Sequence, residues 1–457
     1  MITYSSAVEQ LFALGHELAA TKPRKFDLTH MRTLAEAMGN PQRKFACVLV
    51  AGTNGKGSVS ATLAAILENA GHRTGLYTSP HLIRVNERIR INGEAISDAE
   101  FAEMYWRVNT TGARLVAEGK LPQHPSFFEM LTAMAFEYFA SAGVEIAVLE
   151  VGMGGRLDAT NIVDPCVSVI TDISLDHQQY LGNTVGEIAR EKAGILRKGG
   201  ILVTLPQHPE ANDAIGKAAM EVGTRAVSAV QYVPNISPGS AKFDDLRPTA
   251  QQIGAFLRLR FFLEVMGEEL FIETPLIGRH QVRNVALAIA AAEQINNECG
   301  FRVSAQEIAA GIRDTRWPGR FQFIPHDVAT GMPDVIVDVA HNPAGAWALR
   351  SALSENFPDR PLTIVFGGMK DKALGEMAEI LFPMAEHVVL TRADNPRAAT
   401  PDEIKAMTPA AKDAVDALDT AAALERARNI TSKNGVIVVT GSIYLVGEAL
   451  KTLGVKV

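Results

Sequence analysis

The stretch VLVAGTNGKGSVSATLAAILENAG, residues 48–71, decides the fold, because strand, turn and helix follow one another within it. FACVLVAG (45–52) is apolar almost throughout, as a strand buried on both faces must be. SVSATLAAILENAG sets Val59, Leu63, Ile66, Leu67 and Ala70 at helical spacing, and Gly71 supplies a stop. Between them Gly52, Gly55 and Gly57 crowd around Thr53, Asn54, Lys56 and Ser58. Glycines between a strand and a helix N-terminus let the backbone approach an anion, unpaired amides and the helix dipole attract it, and Lys56 can neutralise its charge. These residue types point to phosphate. The general phosphate-loop spacing G-x-x-x-x-G-K-[ST] is met imperfectly, since Val50 holds the first glycine position and Gly57 separates Lys56 from Ser58. A glycine-rich turn of a dinucleotide fold, or a merely tight connection, stays open on these residues alone.

Outward from this unit the rhythm repeats. Apolar runs ending in polar residues recur at RTGLYTS (73–79), VEIAVLEVG (144–152), CVSVITDI (166–173) and GILVTLP (200–206), separated by helical patterns. The alternation predicts a mostly parallel sheet covered by helices, with ligands bound at the C-terminal edge of its strands. Residues 207–277 break the rhythm. Turn formers in QYVPNISPGSAKFDDLRPT and paired short runs in QIGAFLRLRFFLEVMGEELFIETPLIG predict a small β-rich subdomain there. After TRWPGRF (315–321), VIVDVA (335–340), PLTIVFGG (361–368), EHVVLTRA (386–393) and NGVIVVTGS (434–442) mark a second alternating unit. The expected architecture is α/β throughout: a phosphate-loop domain over 1–314 with its β-rich subdomain, and a Rossmann-like domain over 315–457.

Composition narrows the function classes. The 457 residues are 47% hydrophobic and 21% charged, an ordinary soluble balance with ample material for large cores. A net charge of -7 argues against a general nucleic-acid or anionic-membrane binder, which relies on a summed positive field. Cys47, Cys166 and Cys299 are far apart and lack metal-ligand spacing, so they predict neither a disulfide framework nor a zinc site. MITYSSAVEQLFALGHELAATKP shows no leader pattern and no later run reaches membrane-spanning length. The expectation is a mature protein of the reducing cytoplasm.

GTNGKGS resembles the ATP loop of the Mur ligase superfamily, and Gly57-Ser58 after the lysine is similar to the form in the folylpolyglutamate synthase and dihydrofolate synthase branch. The resemblance runs on through YTSPHL (77–82), VNERIRING (85–93), SFFEMLT (126–132), LEVGMGGRLDATNIV (149–163), SLDHQQYLG (174–182), REKAGI (190–195), WPGRF (317–321) and DVAHNPAG (338–345). Residues 207–270 and the last 90 or so carry far less of it. It implies that Gly52 to Ser58 bind ATP and that Asn284, Arg320 and Asp338 contact the nucleotide; as a switch-point turn, DVAHNPAG itself offers His341 and Asn342 to the nucleotide or the reaction centre. Read alone, DVAHNPAG is a capped βα turn with Asn-Pro chemistry.

By the same resemblance Ser79, Glu150 and His177 match magnesium ligands. Taken unaided, Glu150 in AVLEVG needs a cation, a donor or solvent, and capping the following glycine turn would satisfy it equally. His177 alone reads as a satisfied loop residue. Magnesium prefers oxygen, so phosphate and water oxygens would complete its shell. Lys192 follows a helix that Thr184 and Glu187 begin as a capping box and Gly194 ends, and on that evidence it is a solvated lysine complementing the helix C-terminus. In the family the corresponding lysine can be carbamylated. Arg156, Leu157 and Asp158 lie in a loop the family places near the pteridine, although they could only anchor a turn. Phe26, Asp27 and Leu28, with Ser126, Phe127, Phe128 and Glu129, match segments that hold dihydropteroate in bifunctional members, whereas unaided FF before a helix reads as core.

The implied reaction is ATP-dependent amide formation through an acyl phosphate, with Lys56, His177 and Lys192 as catalytic residues. Reduced folates, dihydropteroate and L-glutamate are the implied substrates, and a monomer the implied state. Alternatives are a folylpolyglutamate synthase without the dihydrofolate activity, a cell-wall peptide ligase of the same superfamily, and a nucleotide switch. The last leaves DVAHNPAG unexplained and lacks an Asn-Lys-x-Asp tetrad.

Overall fold

The computed structural model describes residues 2–15, 27–234, 257–327 and 331–456, so Phe26 lies outside the described residues. Continuous apolar runs become parallel strands because both their faces are covered. The first sheet contains β1 (Ala46–Ala51), β2 (Thr74–Tyr77), β3 (Ile89–Ile91), β4 (Glu94–Ala95), β5 (Ile146–Glu150), β6 (Val167–Ile170), β7 (Ile201–Thr204) and β8 (Arg225–Ser228). Their order is β4-β3-β2-β5-β1-β6-β7-β8, with β3 and β4 antiparallel at one edge and the rest parallel. Leu49 and Ala51 of β1 enter a core shared with Phe101 and Phe136 on one face. Val48 and Val50 enter the opposite core with Leu63, Ile66 and Ile289. From β1 the chain winds one way to β2 and later the other way to β6, so the crevice beyond the C-terminal end of β1 is a topological switch point.

Within the stretch expected to be β-rich, the outcome is mixed. Residues Pro209–Val222 form a helix, with Pro209 in its first turn and Gly223 closing it at φ +76°. Those are strong start and stop signals, and they outweigh the turn formers further on. β8 then joins the main sheet beside β7. Among the described residues the separate β element is one antiparallel hairpin, β9 (Leu259–Val265) and β10 (Glu268–Thr274), turned by Met266 and Gly267 at positive φ.

The second sheet, β11 (Gln322–Ile324), β12 (Asp334–Asp338), β13 (Leu362–Phe366), β14 (His387–Leu390), β15 (Val415–Asp416) and β16 (Val436–Thr440), has the order β11-β12-β16-β13-β14-β15. Only β11 is antiparallel to its neighbour. The two sheets meet at a seam. Leu82 and Ile83, which follow β2, pack into the core of the second unit. Helix Ile443–Thr452 closes over them so tightly that a Cβ on Gly447 would fall 2.0 Å from the Leu82 carbonyl oxygen. Among the described residues no helix is long and apolar enough to cross a membrane.

Candidate active site

The glycine turn is held from below rather than filled. Gly55, at φ +89°, caps helix Lys56–Asn69 with no side-chain hydrogen bond, so the amides at the helix start keep their donors for a ligand. Thr53 and Asn54 donate their amides to the Asp172 carbonyl at 2.9 and 3.2 Å, and Thr171 Oγ1 donates to the Asn54 carbonyl at 2.7 Å. The loop after β6 is thus the floor of the turn. Close packing explains the glycines: a Cβ on Gly55 would sit 2.3 Å from Asn284 Oδ1, and one on Gly57 2.6 Å from the Trp317 ring. Ser58 is buried in the first turn of the helix. Lys56 Nζ rests 3.2 Å from the Thr53 carbonyl.

Lys192 departs from its expected place in solvent. It is 4% exposed, and its Nζ donates to the Gly52 carbonyl at 2.7 Å. Burial, reinforced by the Lys56 charge, pulls its ammonium down to about 7. The helix Val185–Ala193 does begin with the Thr184–Glu187 capping box and end at Gly194. What sequence does not reveal is that its last turn is pressed beneath the phosphate turn.

Across the seam stands Asp176, a residue passed over in the sequence although it adjoins His177. Its Oδ1 accepts from Lys372 Nζ at 2.6 Å, and its Oδ2 lies 3.9 Å from His177 Nε2 and 3.8 Å from His341 Nε2. Burial opposes its charge, yet His177, Lys372 and His341 together hold its carboxyl well below the usual carboxylate range. Burial drives both His177 and His341 down to about 4, which keeps the two imidazoles neutral at pH 7. The His341 Nδ1–Val339 carbonyl contact of 2.9 Å makes Nδ1 the donor of a neutral ring and leaves Nε2 as its acceptor. Lys372 sits in GGMKDK, where nothing local distinguishes it from a surface lysine.

Glu150, at the end of β5, is 4% exposed, and its Oε2 accepts the Ser79 amide at 3.2 Å. The ends of β2 and β5 therefore bring two of the magnesium candidates together. Among the described residues no three His, Cys, Asp or Glu side chains converge as a metal cage. That donor set suits a cation held largely by phosphate and water oxygens. In the second unit, Asn342 Nδ2 donates to Asn54 Oδ1 at 2.9 Å, joining the two turns directly. Asp338 uses both oxygens on its own backbone, accepting from the Phe321 and Ala340 amides at 2.8 and 2.9 Å. Arg320 stands half-buried beside it, with its guanidinium 5.8 Å from the Trp317 ring centroid.

The segments expected on the acceptor side form a neighbouring group. Helix Leu28–Ala37, capped by Asp27, packs on helix Phe127–Ser141 and on the turn Ala159–Ile162. Ser126 and Glu129 make a reciprocal capping box at the start of the second helix. Phe127 is core at 3% exposure, as the unaided reading had it, whereas Phe128 lies against Tyr77 and Gly152. Asp158 accepts from the Met153 and Thr160 amides, each at 3.0 Å, and so anchors the loop. Arg156 forks onto Glu191 at 2.9 to 3.3 Å, next to Leu157 and one residue before Lys192.

Two α/β units meeting at a glycine turn define a nucleotide-dependent ligase of a particular kind. Residues 50–292 match the Mur ligase middle domain and residues 319–443 the Mur ligase glutamate ligase domain. The chain belongs to the Mur ligase family. The dihydrofolate synthase/folylpolyglutamate synthase of Bacillus subtilis is 34% identical over 438 residues, covering 93% of this chain and 94% of that protein. The folylpolyglutamate synthase of Mycobacterium tuberculosis, solved with ADP and AMPPCP, superposes with a TM-score of 0.81 at 30% identity and covers 99% of both chains. E. coli FolC in complex with DHPP and ADP superposes with a TM-score of 0.80 at 27% identity, covering 99% of this chain and 98% of that one. Within the Mur ligases the chain's place is the folylpolyglutamate synthase and dihydrofolate synthase branch.

Proposed function

We propose that the protein is an ATP-dependent ligase that adds L-glutamate to reduced folates and to dihydropteroate. The observation that carries the reading is the uncapped, lysine-bearing helix start of the first unit, bonded through Asn54 to Asn342 of the second. The glycine turn and Lys56 hold the ATP phosphates, and Asn284, Arg320 and Asp338 lie where the nucleotide crosses the seam. The acceptor enters from the side of Asp27, Phe128 and Arg156 and presents its carboxylate to the γ-phosphate. Attack on phosphorus gives an acyl phosphate and ADP. The glutamate amine then attacks the acyl carbon, phosphate leaves, and the amine gives up a proton. We assign that proton to neutral His341, whose Nε2 faces the seam. The Asp176–Lys372 pair and the Asn54–Asn342 bond hold the two units together and exclude water from the acyl phosphate.

Ser79, Glu150 and His177 would hold magnesium, which when bound neutralises charge on the phosphate oxygens. Lys192, lowered to about 7, has a substantial neutral fraction at physiological pH, the form that can take up carbon dioxide as a carbamate. Full turnover by Lys192→Ala with no response to bicarbonate in a rescued variant would sink that role. We place the domain boundary near 315 and take the enzyme to be cytoplasmic and monomeric.

The deciding assay is ADP release with magnesium and glutamate, comparing dihydropteroate, tetrahydrofolate monoglutamate and no acceptor, with product masses. Turnover with both acceptors supports the full reading. Tetrahydrofolate alone restricts it to polyglutamylation, and turnover with neither overturns it.

A further inference from the structure

The three cysteines, scattered in sequence, are sorted in space into a pair and a single residue. Cys166 immediately precedes β6 and Cys299 follows helix Arg279–Glu298, where its thiol donates to the Gln294 carbonyl at 3.9 Å and interacts with the Cys166 thiol. Both line one open cleft of about 620 Å³ at the N-terminal edge of the first sheet, together with Arg197, Lys198 and Arg225. Both are partly exposed. Cys47 instead belongs to the core on the opposite face, beside Leu49, and burial pushes its thiol up to about 12. One thiol is therefore shut in the core, while the other two border a cleft in which Arg197 and Arg225 are paired with Asp164 and Glu298.

We propose that Cys166 and Cys299 are a modification site, closing to a reversible intramolecular disulfide when a hydroperoxide enters this cleft. The Cys299 thiolate attacks one peroxide oxygen, the O–O bond breaks, and a sulfenic acid and hydroxide result. The Cys166 sulfur then attacks the sulfenyl sulfur, the S–OH bond breaks, and hydroxide leaves with the Cys166 proton as water. With hydrogen peroxide, the sum is two thiols and one peroxide giving one disulfide and two waters. The same balance holds with the two sulfurs exchanged, since both border the cleft. A dithiol reductant reverses the bond by exchange.

The bridge would join two walls of the phosphate turn at their far ends. β6 lies between Cys166 at one end and, at the other, Thr171 and Asp172, which carry the turn. The bridged helix begins about 30 Å away, from a rise of ~1.5 Å per residue, with Arg283 forked onto Asp172 and Asn284 against Gly55. Fixing their spacing should change ADP affinity by about two- to thirtyfold, the range of coupling through packed elements.

The test treats the reduced full chain with stoichiometric hydrogen peroxide, alkylates remaining thiols and maps peptides by mass. The proposal expects a 166–299 linked pair with Cys47 still a thiol, loss of the link on adding dithiothreitol, no link in Cys299→Ser, and an unchanged link in Cys47→Ser. Sulfinic acid without a link, a link through Cys47, or links only between chains would overturn it. Calorimetry with ADP on the linked and reduced forms reads the coupling, and equal affinities would overturn that part. Neither readout needs an acceptor substrate, so failure of the ligase assay would be a separate result.

Discussion

The turn after β1 and the turn after β12 occupy the same place in their respective sheets, yet they treat the following helix in opposite ways. Gly55 leaves the start of helix Lys56–Asn69 without a side-chain cap and sets Lys56 beside it. Asn342 caps helix Pro343–Asn356 with its own Oδ1 on the Gly345 amide at 2.8 Å, and Pro343 has no amide hydrogen to offer. The second turn also carries the Asp338 carboxylate. A helix start becomes an anion site only where the sequence leaves it uncapped and positive. The first turn therefore offers an open helix start, and the second reaches across the seam through Asn342.

The largest test of this contrast is Lys56→Ala, expected to lower kcat/KM by roughly 10³-fold, as loss of a transition-state charge contact does. Urea unfolding should stay cooperative with an unchanged slope. Asn342→Ala causing the larger loss would reverse the comparison. Gly55→Ala should cost about 2–3 kcal/mol of stability, since its φ of +89° is strained for an L residue and its methyl would strike Asn284. ADP affinity should fall with it.

Third comes the clasp between the units. Lys372 and Asp176 are 11% and 10% exposed, so Lys372→Met strands a carboxylate and should cost about 2 kcal/mol in chemical denaturation. Adding Asp176→Asn should recover part of that loss, and strictly additive effects would dissolve the pair. Asn342→Ala should then cost about 1 kcal/mol through the lost cap, with a modest rise in the KM for ATP.

The smallest effect concerns pH. His341 sits near 4 when folded, against ~6.5 in the unfolded chain. The folded state thus disfavours its proton. The stability this contributes is complete above pH 6.5 and is lost as pH falls from 6.5 to 4. At pH 6 the loss should be under about 1 kcal/mol, given the ring's partial exposure. A thermal-stability profile of His341→Gln that parallels wild type would show that the ring is not buried as neutral.

Legibility followed the range of the interactions. The glycine turn, the Thr184–Glu187 box and the alternating strands depend on residues a few positions apart, so spacing alone displays them. Lys192 looked like a surface lysine because the carbonyl it meets belongs to Gly52, 140 residues away. Asp176 and Lys372 are 196 residues apart, and neither has a local pattern that requires the other. The helix Pro209–Val222 was legible in principle, since Pro209 and Gly223 punctuate it, but the turn-rich segment after it dominated the regional reading. The cysteines gave no pairing signal either, because 133 residues separate Cys166 from Cys299 (299 − 166) and only the packing of a helix end beside a strand start brings them together.

By itself the sequence determined the strand–turn–helix units, their caps and the chemistry each turn can offer, because these rest on local backbone conformation and on donors within one or two helical turns. The tertiary structure alone decided which turn is open to an anion across the seam, where Lys192 is buried, and which charges meet at Asp176. Those outcomes depend on desolvation and on contacts between distant segments, and both come into being only when the two sheets close on each other.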